Sequence, residues 1–580
     1  MKNLQNELGS RERYFDIFAG IALFAFGAFE SILYFGNKVV PIGDFPDIIR
    51  VGHELLSFKA PSTFKIAPVV GLLQAALSYF VDGQTPDLTA GWLLNAILHP
   101  FTVILLWLIG KRFLGRSAVW FTLVAAINPW LLYMLREPLV ETSLLFFVLL
   151  TTYLILRRSK WSYLAAAVTT MVRYEGAALI LTAFVMDMIE SKNRKERMRA
   201  FVYSALATIP LLIWLGATVL NWKAGTSHYF NVLFTKDYAK GFEAGQKRTG
   251  LIMHMQLLWE VAFRPLLLPY PGSSEDFGQM VFKLNQAAAF VGFFFGGIYG
   301  LFKKRWEIPV LLLFFVPYFV LHALYPYPLQ RFHSTIFWIA LLISVFGFQS
   351  FWRVIDGTER VPKRIIFAMQ LMIILGACAW ISKLAVLLPK LTQLSPNSAS
   401  LPYVAFALAV ACCISSIWVY RNIWKEITLL SIVALVIASN QFFLAGFLGD
   451  GKSDEEFKLL GQWYSKNTQP GEKLGVYMFD VVRMFVPKDA AQNIVPLPKA
   501  DDPSAFVKAC QKEGITYVVW ASREGLSKDH YGYHQLGLDK NMAFLREPKS
   551  IGPYEFMAQI KAPHGYVNIF RLNLNSAGKN

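Results

Sequence analysis

Residues 164–186 read LAAAVTTMVRYEGAALILTAFVM, an apolar run with Arg173 and Glu175 at its centre. A charge at that depth in a bilayer costs about 2.5–3.5 kcal/mol on insertion scales, so it faces a water-filled cavity or a partner. The interruption recurs. Arg136, Glu137 and Glu141 break INPWLLYMLREPLVETSLLFF (127–147), and Arg331 and His333 break YPYPLQRFHSTIFWIALL (325–342). Charged points inside such runs predict a polar working site within a membrane.

The rest of the chain supports a membrane reading. It is 580 residues long, 55% hydrophobic and only 16% charged, with a mean hydropathy of +0.41. Soluble domains carry roughly 25% charged residues. The formal net charge of +17 implies no nucleic acid, because most Lys and Arg fall in short clusters between apolar runs. Those clusters are KRFLGR (111–116), RRSK (157–160), KNRKERMR (192–199), KKR (303–305), RVIDGTERVPKR (353–364) and RNIWK (421–425). Placing them all on the cytoplasmic side predicts about thirteen transmembrane helices, with the N-terminus inside and the C-terminus outside. The first crossing, Tyr14 to Phe35, lacks a cleavage site and reads as a retained helix. Segment 161–190 is long for one crossing and short for two. The charge rule favours a hairpin of two short helices with Arg173 and Glu175 at its tip.

Three segments then fall outside. Residues 37–88 form a first outer loop that contains IAPVVGLLQAALSYF (66–80), an interfacial helix by its mild amphipathicity. Residues 222–285 form a second outer segment with the breaker run RPLLLPYPGSS (264–274). From 450 to 580 the composition becomes that of a soluble α/β domain, leaving 1–449 as the membrane domain. Helices are expected over 454–467 and 503–513, and strands over 474–478, 515–521 and 566–572. The tail holds no Gly-rich phosphate loop, no CxxC and no Ser-His-Asp pattern, which suits an accessory or acceptor-recognition domain.

The first outer loop, GDFPDIIRVGHELLSFKAPSTFKIAP (43–68), concentrates chemistry. Asp44 and Asp47 follow helix one; Arg50, Lys59 and Lys65 come soon after. A carboxylate at a membrane surface can act as a general base. Arg binds phosphate by a bidentate fork and Lys as a point charge. Together they meet the needs of sugar transfer from a lipid phosphate, though wet loops also carry Asp and Lys for solvation alone. The four cysteines (Cys378, Cys412, Cys413, Cys510) show no disulfide or metal spacing. His53, His99 and His333 read as isolated, no HExxH occurs, and no cofactor is implied. Scattered carboxylates leave a divalent metal open.

The order of these segments resembles the bacterial GT-C membrane glycosyltransferases of the protein O-mannosyltransferase and lipid A aminoarabinose transferase kind. GDFPDIIRVGHELL (43–56) resembles that family's first outer loop, and FKIAPVVGLLQAAL (64–77) its Lys/Pro-containing segment. Residues 93–134 resemble its second and third helices, and LREPLVETSLLFFVLL (135–150) the acidic opening of helix four. MVRYEGAALIL (171–181) resembles a short Arg-x-x-Gly stretch, and LQRFHSTIFWIALLI (329–343) a late helix opening on Arg and an aromatic. The resemblance implies Asp44 or Asp47 as catalytic base and Glu141 as an orienting acid. It also implies Lys65 and Arg331, and Arg173 on a shorter motif, as contacts to the donor phosphate, and the loop reading adds Arg50. Arg136, Glu137, Glu175 and His333 remain as further cavity residues.

The expected activity is inverting transfer of a sugar from a polyprenyl-monophosphate donor to a hydroxyl on a protein, glycolipid or polysaccharide. The expected place is the outer face of a bacterial cytoplasmic membrane. A transporter or flippase for a lipid-linked anion is the alternative; it predicts internal repeats, and none is visible.

Overall fold

The computed structural model describes residues 2–41, 44–64, 66–220, 250–263, 275–323, 330–357, 362–394, 400–420, 422–448, 451–476, 478–498, 503–523 and 543–573. The chain divides into two compact units: 1–35, 51–77 and 91–449 in one, and 36–50, 78–90 and 450–580 in the other.

The first unit is helical. Among the described residues, six helices are long and apolar enough to cross a membrane. They include Arg11–Tyr34, Arg194–Leu220 and Leu401–Tyr420. A seventh crossing counts if Pro129–Arg136 and Val140–Leu156, bent by 119° at a short break, form one span. Five shorter apolar helices accompany them. The protein is a multi-pass membrane protein.

Segment 161–190 forms two short helices, as its length and charge predict. Trp161–Val172 and Ala177–Glu190 are separated by Arg173 and a 3-10 turn, Tyr174–Gly176. Glycine is required at the turn, since a Cβ on Gly176 would lie 2.6 Å from the Thr169 carbonyl carbon. The expected interfacial segment folds as the helix Pro68–Ser78. It crosses the helix Phe45–Leu56 where Gly52 meets Gly71, and a Cβ on Gly52 would sit 2.0 Å from the Gly71 carbonyl oxygen.

Polar side chains join helices where hydrocarbon offers no other partner. Thr151 and Thr169 hydroxyls meet at 3.0 Å. His99 is not isolated: its Nε2 lies 2.8 Å from Glu30 Oε2, and both residues are fully buried. The second outer segment, 222–285, falls largely outside the described residues.

The second unit carries a five-stranded sheet of order β2-β1-β3-β5-β4. The strands are β1 Lys473–Gly475, β2 Ile494–Val495, β3 Ile515–Arg523, β4 Tyr554–Ala562 and β5 Gly565–Leu572. β1 pairs in parallel with β2 and β3; β5 pairs antiparallel with β3 and β4. The helices Glu455–Asn467 and Pro503–Glu513 fall where periodicity puts them. Asp454 precedes the first of these with a positive φ of 65°.

One sequence expectation needs correction here, and one strand was not expected. The strand expected over 474–478 ends at Gly475, and the chain turns helical at Phe479–Arg483. β4 escapes a period-two reading because its pairing with β5 shifts register between Phe556 and Ala558, so side-chain alternation is interrupted.

Apolar side chains cover both faces of this sheet. Phe457, Leu460, Val481 and Ile569 pack on one side, and Phe506, Cys510 and Phe570 on the other. Burial pushes the Cys510 thiol up to about 12, which keeps it a small inert core residue.

Candidate functional site

In the membrane unit, the broken span is built from its ends. Asn128 caps the helix Pro129–Arg136, accepting from the Trp130 N–H at 2.9 Å with Pro129 at the first helical position. The helix stops at Glu137, before Pro138, and Val140–Leu156 begins in a new direction. Such a break frees backbone carbonyls that lipid cannot satisfy. Side chains take them one by one. Asn95 Nδ2 lies 3.3, 3.2 and 2.6 Å from the carbonyls of Met134, Leu135 and Glu137. Trp92 Nε1 donates to the Arg136 carbonyl at 3.2 Å, Gln74 Nε2 to that of Pro138 at 3.1 Å, and Thr142 Oγ1 to that of Met134 at 2.9 Å.

This break places Glu141 in the first turn of the following helix, where the helix dipole favours a carboxylate. Glu141 Oε1 lies 3.4 Å from Arg173 Nη1 and 3.8 Å from Arg331 Nε. Arg173 is in extended backbone (φ −154°, ψ 141°) between its two short helices. Its Nη2 lies 3.0 Å from Glu175 Oε1. His322, from the helix Glu307–Ala323, brings Nε2 to 3.4 Å from the same Glu175 oxygen. The Phe332 ring packs beneath: the His322 ring stacks on it at 5.0 Å, and the Arg173 and Arg331 guanidinium carbons lie 4.9 and 5.4 Å from its centroid. Beside this cluster, His333 Nε2 meets His254 Nδ1 at 2.9 Å.

Glu141, Arg173, Glu175 and Arg331 are thus brought together. Two cations face two carboxylates, which is how buried charge is tolerated. The cations differ. Arg173 is shared by two carboxylates and its side chain is 11% exposed; the Arg331 side chain, whose Nε lies 3.8 Å from Glu141, is 22% exposed. Arg331 is therefore the more exposed of the two cations. Arg136 and Glu137 are buried at the break itself, with the Arg136 guanidinium 5.4 Å from the Tyr133 ring centroid. The sequence reading missed His254 and His322; their only signal was a histidine within an apolar helix. His333, taken as isolated, has a histidine partner.

Asp44, Asp47 and Arg50 belong to the other unit. Asp44 precedes the helix Phe45–Leu56, and its carbonyl accepts from the Ile48 N–H at 3.2 Å. Asp47, in the first turn, pairs with Arg50. Arg50 Nη1 also lies 3.7 Å from Asp480 Oδ1. Lys65 lies outside the described residues. The carbonyl of Phe64, in the membrane unit, accepts from the Tyr174 hydroxyl at 2.9 Å, and that hydroxyl accepts from Trp214 Nε1 at 3.0 Å. Among the described residues, no group of three or more His, Cys, Asp or Glu side chains gathers as a metal site.

At the level of sequence, no family model matches the chain and no curated protein does. Its fold is shared with solved structures of the GT-C fold. ArnT from Cupriavidus metallidurans bound to undecaprenyl phosphate superposes over 96% of this chain and 97% of its own, with a TM-score of 0.51 at 12% identity. The same protein in the apo state gives 94%, 97%, 0.51 and 13%. The archaeal oligosaccharyltransferase AglB from Archaeoglobus fulgidus shows a looser likeness, covering 87% of this chain and 70% of its own at a TM-score of 0.46 and 14% identity.

Proposed function

We propose that this chain is an inverting glycosyltransferase that moves a sugar from a polyprenyl-monophosphate donor to a hydroxyl acceptor. One observation supports it above the rest: a GT-C fold with paired arginines and carboxylates gathered at a broken, membrane-embedded backbone. In the same reading the chain crosses a bacterial cytoplasmic membrane about thirteen times, with its N-terminus inside and its C-terminal domain outside.

The chemistry divides between a base and cations. Asp44 or Asp47 takes the proton of the acceptor hydroxyl. The acceptor oxygen bonds to the anomeric carbon from the face opposite the phosphate, and the carbon–oxygen bond to phosphate breaks. The electron pair leaves with the lipid phosphate, which is already a fair leaving group, so charge stabilisation does more than acid catalysis. Arg331 leads that role, with Lys65, Arg50 and Arg173 assigned alongside it. Glu141 orients Arg331, and Arg173, with Glu175 and His322, holds Glu141.

The test uses purified protein in nanodiscs, radiolabelled polyprenyl-phosphate sugars and a pool of membrane-extract acceptors. Wild type is compared with Asp44→Asn, Asp47→Asn and Arg331→Ala. Transfer that one aspartate substitution abolishes names the base and establishes the activity. Full transfer by both aspartate variants, in folded protein, overturns the base assignment. Labelled lipid that crosses the bilayer without transfer replaces the transferase reading with a flippase.

A further inference from the structure

We propose that Asp480, in the C-terminal domain, is a positioning residue that holds the loop carboxylate Asp47 through Arg50. This rests on the transferase reading, in which Asp47 is one of two candidate bases.

The contacts form one alternating chain of charge. Asp47 pairs with Arg50 one helical turn later, Arg50 Nη1 lies 3.7 Å from Asp480 Oδ1, and that same oxygen lies 3.3 Å from Arg483 Nη1. Arg483 is itself fixed. Its Nε donates to the Ile494 carbonyl in β2 at 2.9 Å, and its guanidinium carbon lies 4.8 Å from the Phe479 ring centroid. The loop carboxylate is therefore referenced to the sheet of the C-terminal domain.

An i,i+3 ion pair alone on a wet helix is worth only about 0.3–0.5 kcal/mol and holds no single geometry. A second carboxylate on the far side of the guanidinium fixes the fork. The start of the same loop is docked independently. Val40 is fully buried in the apolar core with Leu460, Val481 and Val482, the Val39 N–H donates to the Gly451 carbonyl at 3.1 Å, and Lys38 meets Ser453. A Cβ on Gly451 would sit 1.9 Å from the Asn37 carbonyl oxygen, so only glycine admits this approach. Both ends of the Asp44-bearing stretch are thus anchored on the tail.

The experiment compares wild type, Asp480→Asn and Asp480→Glu as full-length protein in nanodiscs. Burial holds the Asp480 carboxyl above its ordinary range, outweighing Arg50 and Arg483, so a neutral amide there does not unfold the domain. The expected result for Asp480→Asn at neutral pH is a kcat lower by about 10–100-fold, a donor KM within about threefold, and no loss of thermal midpoint. Asp480→Glu restores most of the rate. Hydrogen exchange of the amides over 44–50 is read in parallel and is expected to quicken about tenfold in Asp480→Asn. Unchanged exchange, or unchanged kcat in an active enzyme, overturns the proposal. Faster exchange in a protein that transfers no sugar under any condition supports the positioning role and sinks the transferase reading instead.

Discussion

Arg173 and Glu141 meet at 3.4 Å across 32 residues of chain. Each reaches the contact from a break in a helix that should otherwise run through hydrocarbon. The pair explains why both breaks exist: a straight helix at either place would leave its charge facing lipid.

Arg173 and Arg331 should therefore separate on mutation. Arg173→Ala takes the nearer cation from both buried carboxylates, leaving Glu141 the longer Arg331 contact and Glu175 the His322 ring, a loss of about 3–5 kcal/mol. The expected outcome is little monodisperse protein on size exclusion. Arg331→Ala should fold, because Glu141 keeps Arg173. Under the proposed function it should weaken binding of a polyprenyl phosphate, titrated directly, by about 10–100-fold, the size of one charge-assisted contact. Normal folding of Arg173→Ala alongside unchanged affinity in Arg331→Ala would refute this division.

Asn95 carries the break. Asn95→Leu keeps the volume and removes the donor shared by the carbonyls of Met134, Leu135 and Glu137; Thr142 still reaches Met134 and the Leu139 N–H still reaches Glu137, so the Leu135 carbonyl loses most. Each orphaned group costs about 1–3 kcal/mol. A clear fall in thermal midpoint is expected, larger than for Trp92→Phe, which frees only the Arg136 carbonyl. Equal midpoints for the two variants would contradict it.

Gly52→Ala should be among the most damaging single-methyl changes in the membrane unit. The added carbon would stand 2.0 Å from the Gly71 carbonyl oxygen and 2.9 Å from Ala75 Cβ. Backbone cannot yield as a side-chain end does, so the cost reaches or exceeds the about 1–3 kcal/mol of ordinary overpacking. By contrast Gly216→Ala, where nothing lies within 4 Å, should be neutral or stabilising. Comparing folded yields of the two checks the geometry.

Asp480 makes a prediction about pH. Its folded carboxyl is raised, first by burial, with Arg50 and Arg483 opposing. A raised group stabilises below its unfolded range and loses that contribution as pH rises through its folded value. At neutral pH the ionised side chain is thus a burden on the fold. The midpoint of wild type relative to Asp480→Asn should rise as pH falls from 7 towards about 4. A difference independent of pH would show that Asp480 is not the titrating group.

Part of this was legible along the chain. The charges of 164–186 and 127–147 marked a polar site within apolar runs, and hydropathy with basic clusters predicted a hairpin of short helices at 161–190. Helical and alternating periods marked Glu455–Asn467, Pro503–Glu513, β3 and β5. β4 was hidden by its register shift, and β2 by its shortness. His322 and His254 were hidden because a lone histidine in an apolar helix looks the same whether or not it has a partner.

What the sequence by itself determined is the solvent each stretch requires: hydropathy and charge act locally, so membrane spans, their breaks and a polar tail follow from composition. Only the tertiary structure decided which break meets which. Gln74 capping Pro138 spans 64 residues, and segments 36–50 and 78–90 join the C-terminal domain in one compact unit. Such pairings depend on the path of the chain between partners, and local preference carries no record of that path.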